Sequence, residues 1–307
     1  MNNSFSEQVR LLVAVLPLVA KEDCFALKGG TAINLFVRDL PRLSVDIDLA
    51  YIPVQDRDSS LGAIDAAMKR IRQRILQTIG NSEVHANLLN GTNTCIKLQV
   101  TRGDTLIKIE VTPVLRGSVH PIEIKKVSEQ CETQFGSASI QLLSFEDLYG
   151  GKLCAALDRQ HPRDLFDVYH LMQTEGLTQK LKDTFLIYLL SHNRPMNELL
   201  NPNLKDITAL YEQEFAGMTI EHVPLEILLQ TRIDMIQEIH KLLNEHDKAF
   251  LLSVKSGNPQ WNLSQYQDAA KLPAVQWKLH NLSSMKEIKR KEALIKLERV
   301  LEEGPSL

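Results

Sequence analysis

The amino-acid sequence predicts an α+β fold, with a mixed sheet in residues 1–143 and a helical part in residues 144–307. Two observations carry this prediction. Alternation of apolar and polar residues, which is typical of strands, occurs in the first part, and helical periodicity dominates the second part. A length of 307 residues is enough for two domains. We therefore expect a sheet domain followed by a helical domain.

The first part begins with an apolar run that is typical of an N-terminal helix. The run covers residues 11–20 and is followed at once by charged residues at 21–23, so a helix is favoured over a secretion signal. Further along, the patterns include a hairpin with its turn at residues 102–104. In chain order they predict a glycine turn at 29–30, a short helix at 32–37, a strand around residue 46, a helix at 61–79, and strands at 94–101, 105–114 and 139–143.

The second part carries helical patterns almost to its end. Ser144, with Asp147 three residues later, has the pattern of a helix start. Proline and glycine residues separate the helices from one another. The predicted helices are residues 145–159, 162–175, 178–191, 224–244, 246–254, 262–271 and 282–302.

Composition and charge are those of an ordinary globular protein. Hydrophobic residues make up 44% of the chain, charged residues make up 24%, and the net charge is −3, which argues against a protein that coats nucleic acid by charge alone. The four cysteines lack any C-x-x-C pairing, so we expect free thiols in a reducing compartment and no zinc site. No segment approaches the roughly 20 apolar residues that a membrane span needs. These features predict a cytoplasmic protein with no membrane partner.

The pair Asp46 and Asp48 is the first candidate for chemistry. The two carboxylates alternate with apolar residues, so both lie on one face of a strand, about 6.6 Å apart. Two like charges this close raise one of the two pKa values unless a cation lies between them, which favours a divalent metal ion. The backbone N–H groups of the nearby turn at Gly29 and Gly30 suit phosphate. Metal-binding carboxylates and a phosphate-binding turn together indicate nucleotidyl transfer.

A third carboxylate, Glu110, lies on a predicted neighbouring strand. It shares a strand face with Lys108 and Thr112. Added to the aspartate pair, it would complete a site for two Mg²⁺ ions about 3.5–4 Å apart, which activate the attacking oxygen and stabilise the leaving oxygen. The alternative is a solvent-facing glutamate paired with Lys108, and the residue alone does not decide between the two.

Residues 150–169 hold a second group of charged side chains. Lys152 and Arg159 are seven residues apart, two turns along one helix face, and the small residues between them leave room for a triphosphate. Asp164 and Asp167 follow the next predicted helix start and could orient either cation by ion pairing. The alternative is an ordinary helix pair joined by salt bridges.

The run at residues 69–74 carries four cations and could contact RNA phosphates. A solvated helix face is the commoner meaning of such a run. The cations at residues 286–291 allow the same two interpretations. Trp261 and Trp277 lie in apolar patterns, which favour core packing over base stacking.

Four sequence elements together resemble the AbiEii/AbiGii family of nucleotidyltransferase toxins, the toxin half of bacterial toxin–antitoxin and phage abortive-infection systems. The elements are residues 28–32 with Arg42, Ser44, Asp46 and Asp48, the Glu110 strand, Lys152 with Arg159, and Arg163 and Asp164 with Asp167. Residues 215–219 and 272–278 also resemble full-length members, so the resemblance covers nearly the whole chain. The resemblance implies a polymerase β-like nucleotidyltransferase fold with a helical C-terminal domain.

The resemblance also implies roles for individual residues. Asp46 and Asp48 would hold Mg²⁺, with Glu110 as the third metal ligand by the pattern of the wider superfamily. Lys152 would bind the triphosphate and Asp164 would complete the pocket, so these two residues join the aspartate pair in the implied catalytic set. The residues implied in nucleotide binding are Lys28, Gly29, Gly30, Thr31, Ser44, Lys152, Arg159 and Arg163.

The activity that the resemblance implies is transfer of a nucleoside monophosphate from an NTP to an RNA 3′ end, with tRNA favoured, which would block translation. The expected partners are NTP, an RNA acceptor and a cognate antitoxin encoded nearby, and the expected cofactor is Mg²⁺. Two alternatives stay open: an acceptor hydroxyl on a protein or small molecule, or a non-catalytic nucleotide-binding module. The intact charges of Asp46, Asp48 and Lys152 argue against the second alternative.

Overall fold

The computed structural model describes residues 3–306 and has the expected α+β architecture. The chain forms two compact units. The first unit contains the residues up to Leu148 together with Ala216–His222, and the second contains Tyr149–Phe215 and Val223–Leu307. Within the described residues, no helix is long and apolar enough to cross a bilayer.

The first unit contains one mixed sheet and its flanking helices. In chain order its elements are α1 (Asn3–Val19), β1 (Phe25–Lys28), α2 (Gly29–Ala32), a π-helical turn (Ile33–Val37), β2 (Asp46–Tyr51), α3 (Arg57–Thr78), β3 (Ser82–Leu88), β4 (Cys95–Arg102), β5 (Thr105–Arg116), β6 (Glu123–Lys126), α4 (Glu129–Phe135) and β7 (Ser139–Leu142). The strands lie in the order β3-β4-β5-β2-β1-β7-β6. Strand β2 is parallel to β5 and β1 is parallel to β7, whereas the other neighbouring strands are antiparallel.

The two faces of this sheet differ in polarity. Helices α1 and α3 pack against strands β5 and β4, respectively. Leu98, Val100, Ile107 and Ile109 on these strands are at most 1% exposed. Burial of each such aliphatic side chain stabilises the fold by about 1.5–3 kcal/mol. The residues between them are mostly polar and point to the opposite face. That face is therefore available for interactions other than packing of the apolar core.

Three strands are missing from the sequence-based prediction: β1, β3 and β6. Strand β1 has four residues and its first three are buried, so it shows no alternation. Strands β3 and β6 lie at the two edges of the sheet and are mostly exposed, so they also lack a clear alternation. Pairing with a neighbouring strand, rather than periodicity, makes these segments strands.

A short segment from late in the chain belongs to the first unit. Arg42 and Thr219 form an isolated antiparallel bridge. The Leu43 N–H donates to the Met218 carbonyl at 2.9 Å. These bonds place the segment beside the chain that leads into β2. No local pattern signals this return, because the bonded residues are far apart in sequence.

The second unit is helical. Its elements are α5 (Phe145–Arg159), which begins just before the unit does, α6 (Pro162–Gln173), α7 (Gln179–Ser191), α8 (Met196–Leu200), α9 (Thr208–Glu214), α10 (Leu225–Leu242), α11 (Glu245–Ser256), 3₁₀ turns at Trp261–Leu263 and Gln267–Lys271, α12 (Pro273–Ser283) and α13 (Glu287–Glu303). Capping side chains and glycine residues determine where helices of this unit begin and end. Asn244 and Asp247 form a capping box at the start of α11, and Gly257 ends that helix in the left-handed region at φ 89°.

Two helix predictions in this unit are wrong. Residues 262–271 form short 3₁₀ turns instead of an α-helix. The Ser264 hydroxyl accepts a hydrogen bond from the Tyr266 N–H at 3.1 Å, and such local bonds compete with an α-helix. The segment predicted as one helix at 282–302 instead contains the end of α12, a turn and then α13.

The two tryptophans have different environments. Trp261 packs edge-on against Phe250, with ring centroids 5.2 Å apart. Trp277 is 53% exposed and stacks with His280. The core-packing prediction is therefore wrong for Trp277, because α12 turns this side chain to the surface although its neighbours in sequence are apolar.

The four cysteines are free thiols, as the sequence predicts. Cys95, Cys131 and Cys154 are buried, and Cys24 is half-buried. Burial raises the pKa of the Cys24 thiol to about 11 and that of the Cys131 thiol to about 12. Thiols with such pKa values stay protonated near neutral pH, so these are packing groups rather than nucleophiles.

Candidate functional site

The aspartate pair lies on β2, on one face of the strand, as the alternation predicts. Ile47 and Leu49 are fully buried, whereas Asp46 and Asp48 are half-buried and point to the polar face of the sheet. A repeat of two residues along a strand places the two aspartate Cα atoms about 6.6 Å apart. Half-burial on a shared face leaves both carboxylates able to contact a common ligand.

The sheet register brings further charged residues beside this pair. Asp48 is the partner of Lys28 on β1 and of Glu110 on β5. Lys97 on β4 is in turn opposite Glu110. Partners on neighbouring strands point to the same face of the sheet, so these four side chains form a charged row across four strands.

Glu110 lies in this row, but its carboxylate is ion-paired. Its Oε2 atom lies 3.1 Å from the Lys97 ammonium, and 48% of the Glu110 side chain is exposed. The alternative prediction is an ion pair between Glu110 and Lys108. The predicted partner is wrong, because Lys97 is the residue directly across from Glu110. Metal binding by Glu110 stays a prediction.

Both positions of the turn require glycine, because β2 and the residues just before it pass so close to the turn that a side chain would not fit. Gly29 has φ +74°, and a Cβ atom there would lie 2.6 Å from the Asp48 Oδ2 atom. A Cβ atom at Gly30 would lie 2.8 Å from an Arg42 guanidinium nitrogen and 3.0 Å from the Ser44 Oγ atom. A side chain at either position would displace a site residue. The turn therefore keeps its backbone close to the aspartate pair.

The donor set at this place suits Mg²⁺. Carboxylate oxygens are hard ligands, and Mg²⁺ is usually bound by one or two of them, with substrate phosphates and water completing the octahedron. Among residues 3–306, no three His, Cys, Asp or Glu side chains are grouped closely enough to hold a metal ion. Asp46 and Asp48 thus fit the ion as a pair, and the missing Cβ atom of Gly29 leaves room for the Asp48 carboxylate beside the turn.

Thr31 and Ser44 have hydrogen bonds within the protein. The Thr31 hydroxyl is buried, donates to the Asp46 backbone carbonyl at 2.5 Å and lies 3.0 Å from the Ser44 hydroxyl. These contacts join the start of α2 to the start of β2, so they hold the aspartate pair relative to the glycine turn. Direct contact of either hydroxyl with a nucleotide stays a prediction.

Two residues beside the aspartate pair, Arg42 and Lys97, have no role assigned from the sequence. The Arg42 guanidinium is buried, donates to the Leu43 carbonyl at 3.0 Å and lies against Gly30. Its position two residues before Ser44 in the motif is the signal that could have found it. Lys97 has no such signal, because only the pairing of β4 with β5 places it beside the site.

In the second unit, Lys152 forms a buried ion cluster with the two aspartates of α6. Its ammonium lies 2.8 Å from Asp164 and 2.8 Å from Asp167, and all three side chains are at most 6% exposed. Arg159 binds Asp164 at 2.7 Å and keeps 63% of its side chain exposed. Burial by itself raises the pKa of Asp164, but the charges of Lys152 and Arg159 outweigh it and hold that pKa below its usual range.

Arg163 lies at the first turn of α6, away from this cluster's ion pairs. Its backbone N–H donates to the His161 Nδ1 atom at 3.1 Å, which caps the helix. Its guanidinium lies 3.4 Å from the Glu214 carboxylate, and the His161 Nε2 atom lies 3.1 Å from the same carboxylate. The structure therefore shows Arg163 in a partly exposed ion pair, and nucleotide binding by it stays a prediction.

The cations of α3 are used mainly within the protein. Arg70 and Arg74 both lie 2.6 Å from Glu22, a carboxylate that is 5% exposed. Burial by itself raises the pKa of Glu22, but hydrogen bonds from the two arginines lower it overall. Lys69 pairs with Asp65 at 2.6 Å on the helix surface. From the sequence, this run is expected to contact RNA or to form a solvated helix face. Neither interpretation includes the buried Glu22, which two of its arginines neutralise.

Comparison with known proteins gives the family of this chain. Among solved structures, the fold is similar to MenT4, a nucleotidyltransferase toxin from Mycobacterium tuberculosis H37Rv, with TM-score 0.59, 13% sequence identity, and coverage of 91% of this chain and 93% of that chain. No curated protein matches the sequence. A family model described as nucleotidyl transferase AbiEii toxin, type IV toxin–antitoxin system, matches residues 10–281. Because that match covers most of the chain, the protein belongs to the AbiEii family of nucleotidyl transferase toxins of type IV toxin–antitoxin systems.

Proposed function

We propose that this protein transfers a nucleoside monophosphate from an NTP to the 3′ hydroxyl of an RNA, with tRNA as the favoured acceptor, and so blocks translation. The observation that carries the proposal is the pair Asp46 and Asp48 on one face of β2, beside the turn at Gly29 and Gly30. Membership of a nucleotidyltransferase toxin family supports the reaction class and implies a cognate antitoxin. The reaction takes place in the cytoplasm, where NTP and tRNA are found.

The reaction is an in-line attack of the acceptor hydroxyl on the α-phosphorus of the NTP, with pyrophosphate as the leaving group. Asp46 and Asp48 would hold Mg²⁺, and this ion would supply charge neutralisation on the phosphates and activation of the attacking oxygen. The chain itself contributes positioning. The Thr31 hydroxyl and the pairing of β2 with β5 hold both carboxylates in place before the substrate arrives.

The first unit also provides groups for the triphosphate. The Lys28 ammonium and the backbone N–H groups of Gly29 and Gly30 are the proposed phosphate donors. Lys28 is half-buried, and its strand position is directly opposite Asp48. A cation and a carboxylate side by side suit a magnesium nucleotide, which presents both negative phosphate oxygens and a positive metal ion. Thr31 and Ser44 would act by holding this turn.

Four residues of the second unit are also proposed to act on the nucleotide. Arg159 has the most exposed side chain of its cluster, and a guanidinium can bind two phosphate oxygens at once. Lys152 and Arg163 are proposed as further phosphate ligands. Asp164 contacts both Lys152 and Arg159, so we propose that it orients these cations.

The experiment that tests the reaction uses purified protein, Mg²⁺, total bacterial tRNA and each α-labelled NTP in turn, resolved on a denaturing gel. We expect label on tRNA with one preferred NTP. Asp46→Asn should lower the rate by at least about 10²- to 10³-fold, the usual effect of removing one charge-stabilising group at a reacting centre. Asp58→Asn is the matched control, because the Asp58 side chain is 96% exposed at the start of α3 and should leave the rate unchanged.

The other outcomes separate the alternatives. Label in the protein or small-molecule fraction, absent with Asp46→Asn, would keep the transferase and replace the RNA acceptor. Magnesium-dependent NTP binding without transfer to any fraction would favour a non-catalytic nucleotide-binding module. Equal labelling by wild type and Asp46→Asn would refute the role of the aspartate pair.

A further inference from the structure

We propose that the polar face of β5, β4 and β3 binds the single-stranded 3′ end of the RNA acceptor, with Lys97 and Lys108 contacting its phosphates. The inference rests on the proposed function, because it assigns a surface to the acceptor of that reaction. We call this surface the lysine face, and it consists of Lys97, Lys108, Gln99, Asn87 and His85.

The lysine face is continuous with the aspartate pair through the sheet register. Asp46 is the partner of Lys108 on β5. Lys108 is opposite Gln99 on β4, and Gln99 is opposite His85 on β3. Neighbouring strands are about 4.8 Å apart, so this row extends about 14 Å from Asp46 to the edge strand. An acceptor chain lying along the row would have its end at the aspartate pair.

A second row runs beside the first. Asp48 is followed across the sheet by Glu110 on β5, Lys97 on β4 and Asn87 on β3. All of these side chains are polar, whereas the residues that alternate with them on β4 and β5 are buried aliphatics. The apolar core packs against the opposite face of the sheet, so the polar side chains of both rows are available to a ligand.

The charges of the lysine face suit an anionic chain. Lys108 is half-buried, and among the described residues no carboxylate lies within 4 Å of its ammonium. Lys97 is 27% exposed and has Glu110 as its ion-pair partner. The two lysines are diagonal neighbours on adjacent strands, about 7–8 Å apart. Two cations at this separation can contact successive phosphates of an extended strand, and each phosphate contact contributes affinity that falls with salt.

The polar groups around the lysines favour single-stranded RNA over a duplex. His85 is 70% exposed at the edge strand, and Gln99 and Asn87 offer amide groups on the same face. Unpaired bases can stack on such rings and accept or donate hydrogen bonds at their edges, whereas bases in an A-form duplex cannot. The other cationic run of the first unit is less suited, because Arg70 and Arg74 neutralise a buried glutamate.

The test measures binding of a short fluorescein-labelled single-stranded RNA by anisotropy, without NTP and without Mg²⁺, between about 50 and 200 mM salt. The variant Lys97→Gln/Lys108→Gln removes two phosphate contacts. We expect its binding to be weaker on the order of tenfold, and the slope of log affinity against log salt to fall by about 1.4. Lys97→Arg/Lys108→Arg keeps both charges and should keep the slope, and thermal unfolding checks that each variant is folded.

The matched control is Lys241→Gln/Lys271→Gln in the second unit, which removes the same charge from side chains that are 76% and 77% exposed and should leave the slope unchanged. The proposal that the lysine face binds RNA would be refuted if the wild type did not bind the RNA. It would also be refuted if the two double glutamine variants lost affinity and slope equally. Binding does not require transfer, so the two proposals fail separately. Transfer to RNA with an unchanged slope in Lys97→Gln/Lys108→Gln would reject the surface alone. Loss of slope without any wild-type transfer to RNA would reject the reaction and support the surface.

Discussion

The first and second units arrange their charged residues in opposite ways. On β2 of the first unit, Asp46 and Asp48 have like charge, lie on one face and are half-buried. In the second unit, Lys152 is buried between Asp164 and Asp167, at 2.8 Å from each. Opposite charges that neutralise one another tolerate burial, whereas like charges on one face are stabilised by a cation from outside. The first arrangement suits a site for a metal ion, and the second suits a neutralised cluster in which aspartates hold the proposed phosphate ligands Lys152 and Arg159 in place.

The two arrangements are also held by different means. Backbone pairing sets the positions of the two aspartates on β2, because the register of neighbouring strands is independent of the ionised groups. The cluster around Lys152 is held by side-chain ion pairs between α5 and α6. Removing a charge should therefore affect mainly ligand binding and catalysis in the first unit, whereas in the second unit it should affect stability as well as the proposed nucleotide binding.

The largest expected change in stability comes from Lys152→Met. It leaves Asp164 and Asp167 buried without the ammonium that they share, which costs about 3–5 kcal/mol in the free energy of unfolding. Chemical denaturation measures this quantity. Lys291→Met is the matched control, because its pair with Glu287 is about 70% exposed and should contribute little to stability. A loss no larger than that of the control would contradict the contrast between the two units.

A smaller effect is expected from Gly29→Ala, compared with Gly91→Ala. Both glycines have φ +74°, but a Cβ atom at Gly91 has open space, whereas one at Gly29 would lie 2.6 Å from Asp48 Oδ2. Both variants should lose about 1–2 kcal/mol from the left-handed backbone. Gly29→Ala should lose about 1–3 kcal/mol more from overpacking and should also lower the rate of nucleotidyl transfer. Equal stability and equal activity of the two variants would show that the close approach to Asp48 is unimportant.

Lys278 sharpens the comparison inside the second unit, because this cation has no carboxylate partner among the described residues. Its ammonium donates to the carbonyls of His192 and Arg194, at 2.6 and 3.3 Å, where α7 ends. Burial, together with the nearby charge of Lys255, lowers its pKa from 10.5 to about 8. Between these pH values the unfolded chain binds a proton that the folded protein does not. Lys278 therefore makes the folded protein relatively more stable as pH rises through this window.

The smallest predicted effect is the pH dependence that Lys278→Met removes. The free energy of unfolding of wild type relative to this variant should rise by on the order of 1 kcal/mol between about pH 7 and about pH 10, after allowance for solvent screening. Comparison with the variant cancels the thiols and other groups that titrate in the same range. A difference that is independent of pH would contradict the assignment.

Local patterns were enough to locate the aspartate pair, the glycine turn and the hairpin of β4 and β5. Each of these depends on the conformation of a few consecutive residues. The partner of Glu110 could not be predicted in this way, because Lys97 lies opposite it only through the register of two strands. The same holds for Arg70 and Arg74, since the buried Glu22 that binds both lies about 50 residues earlier in the chain.

By itself, the sequence determined the chemistry available on β2: carboxylates at alternate positions of a strand, after a glycine pair. The tertiary structure alone decided which charges neutralise one another, as in the pair of Lys97 with Glu110 and the cluster of Lys152 with Asp164. The physical reason is that side-chain alternation follows from backbone geometry within one strand. Ion pairing depends instead on register and packing between segments that are brought together only when the whole unit folds.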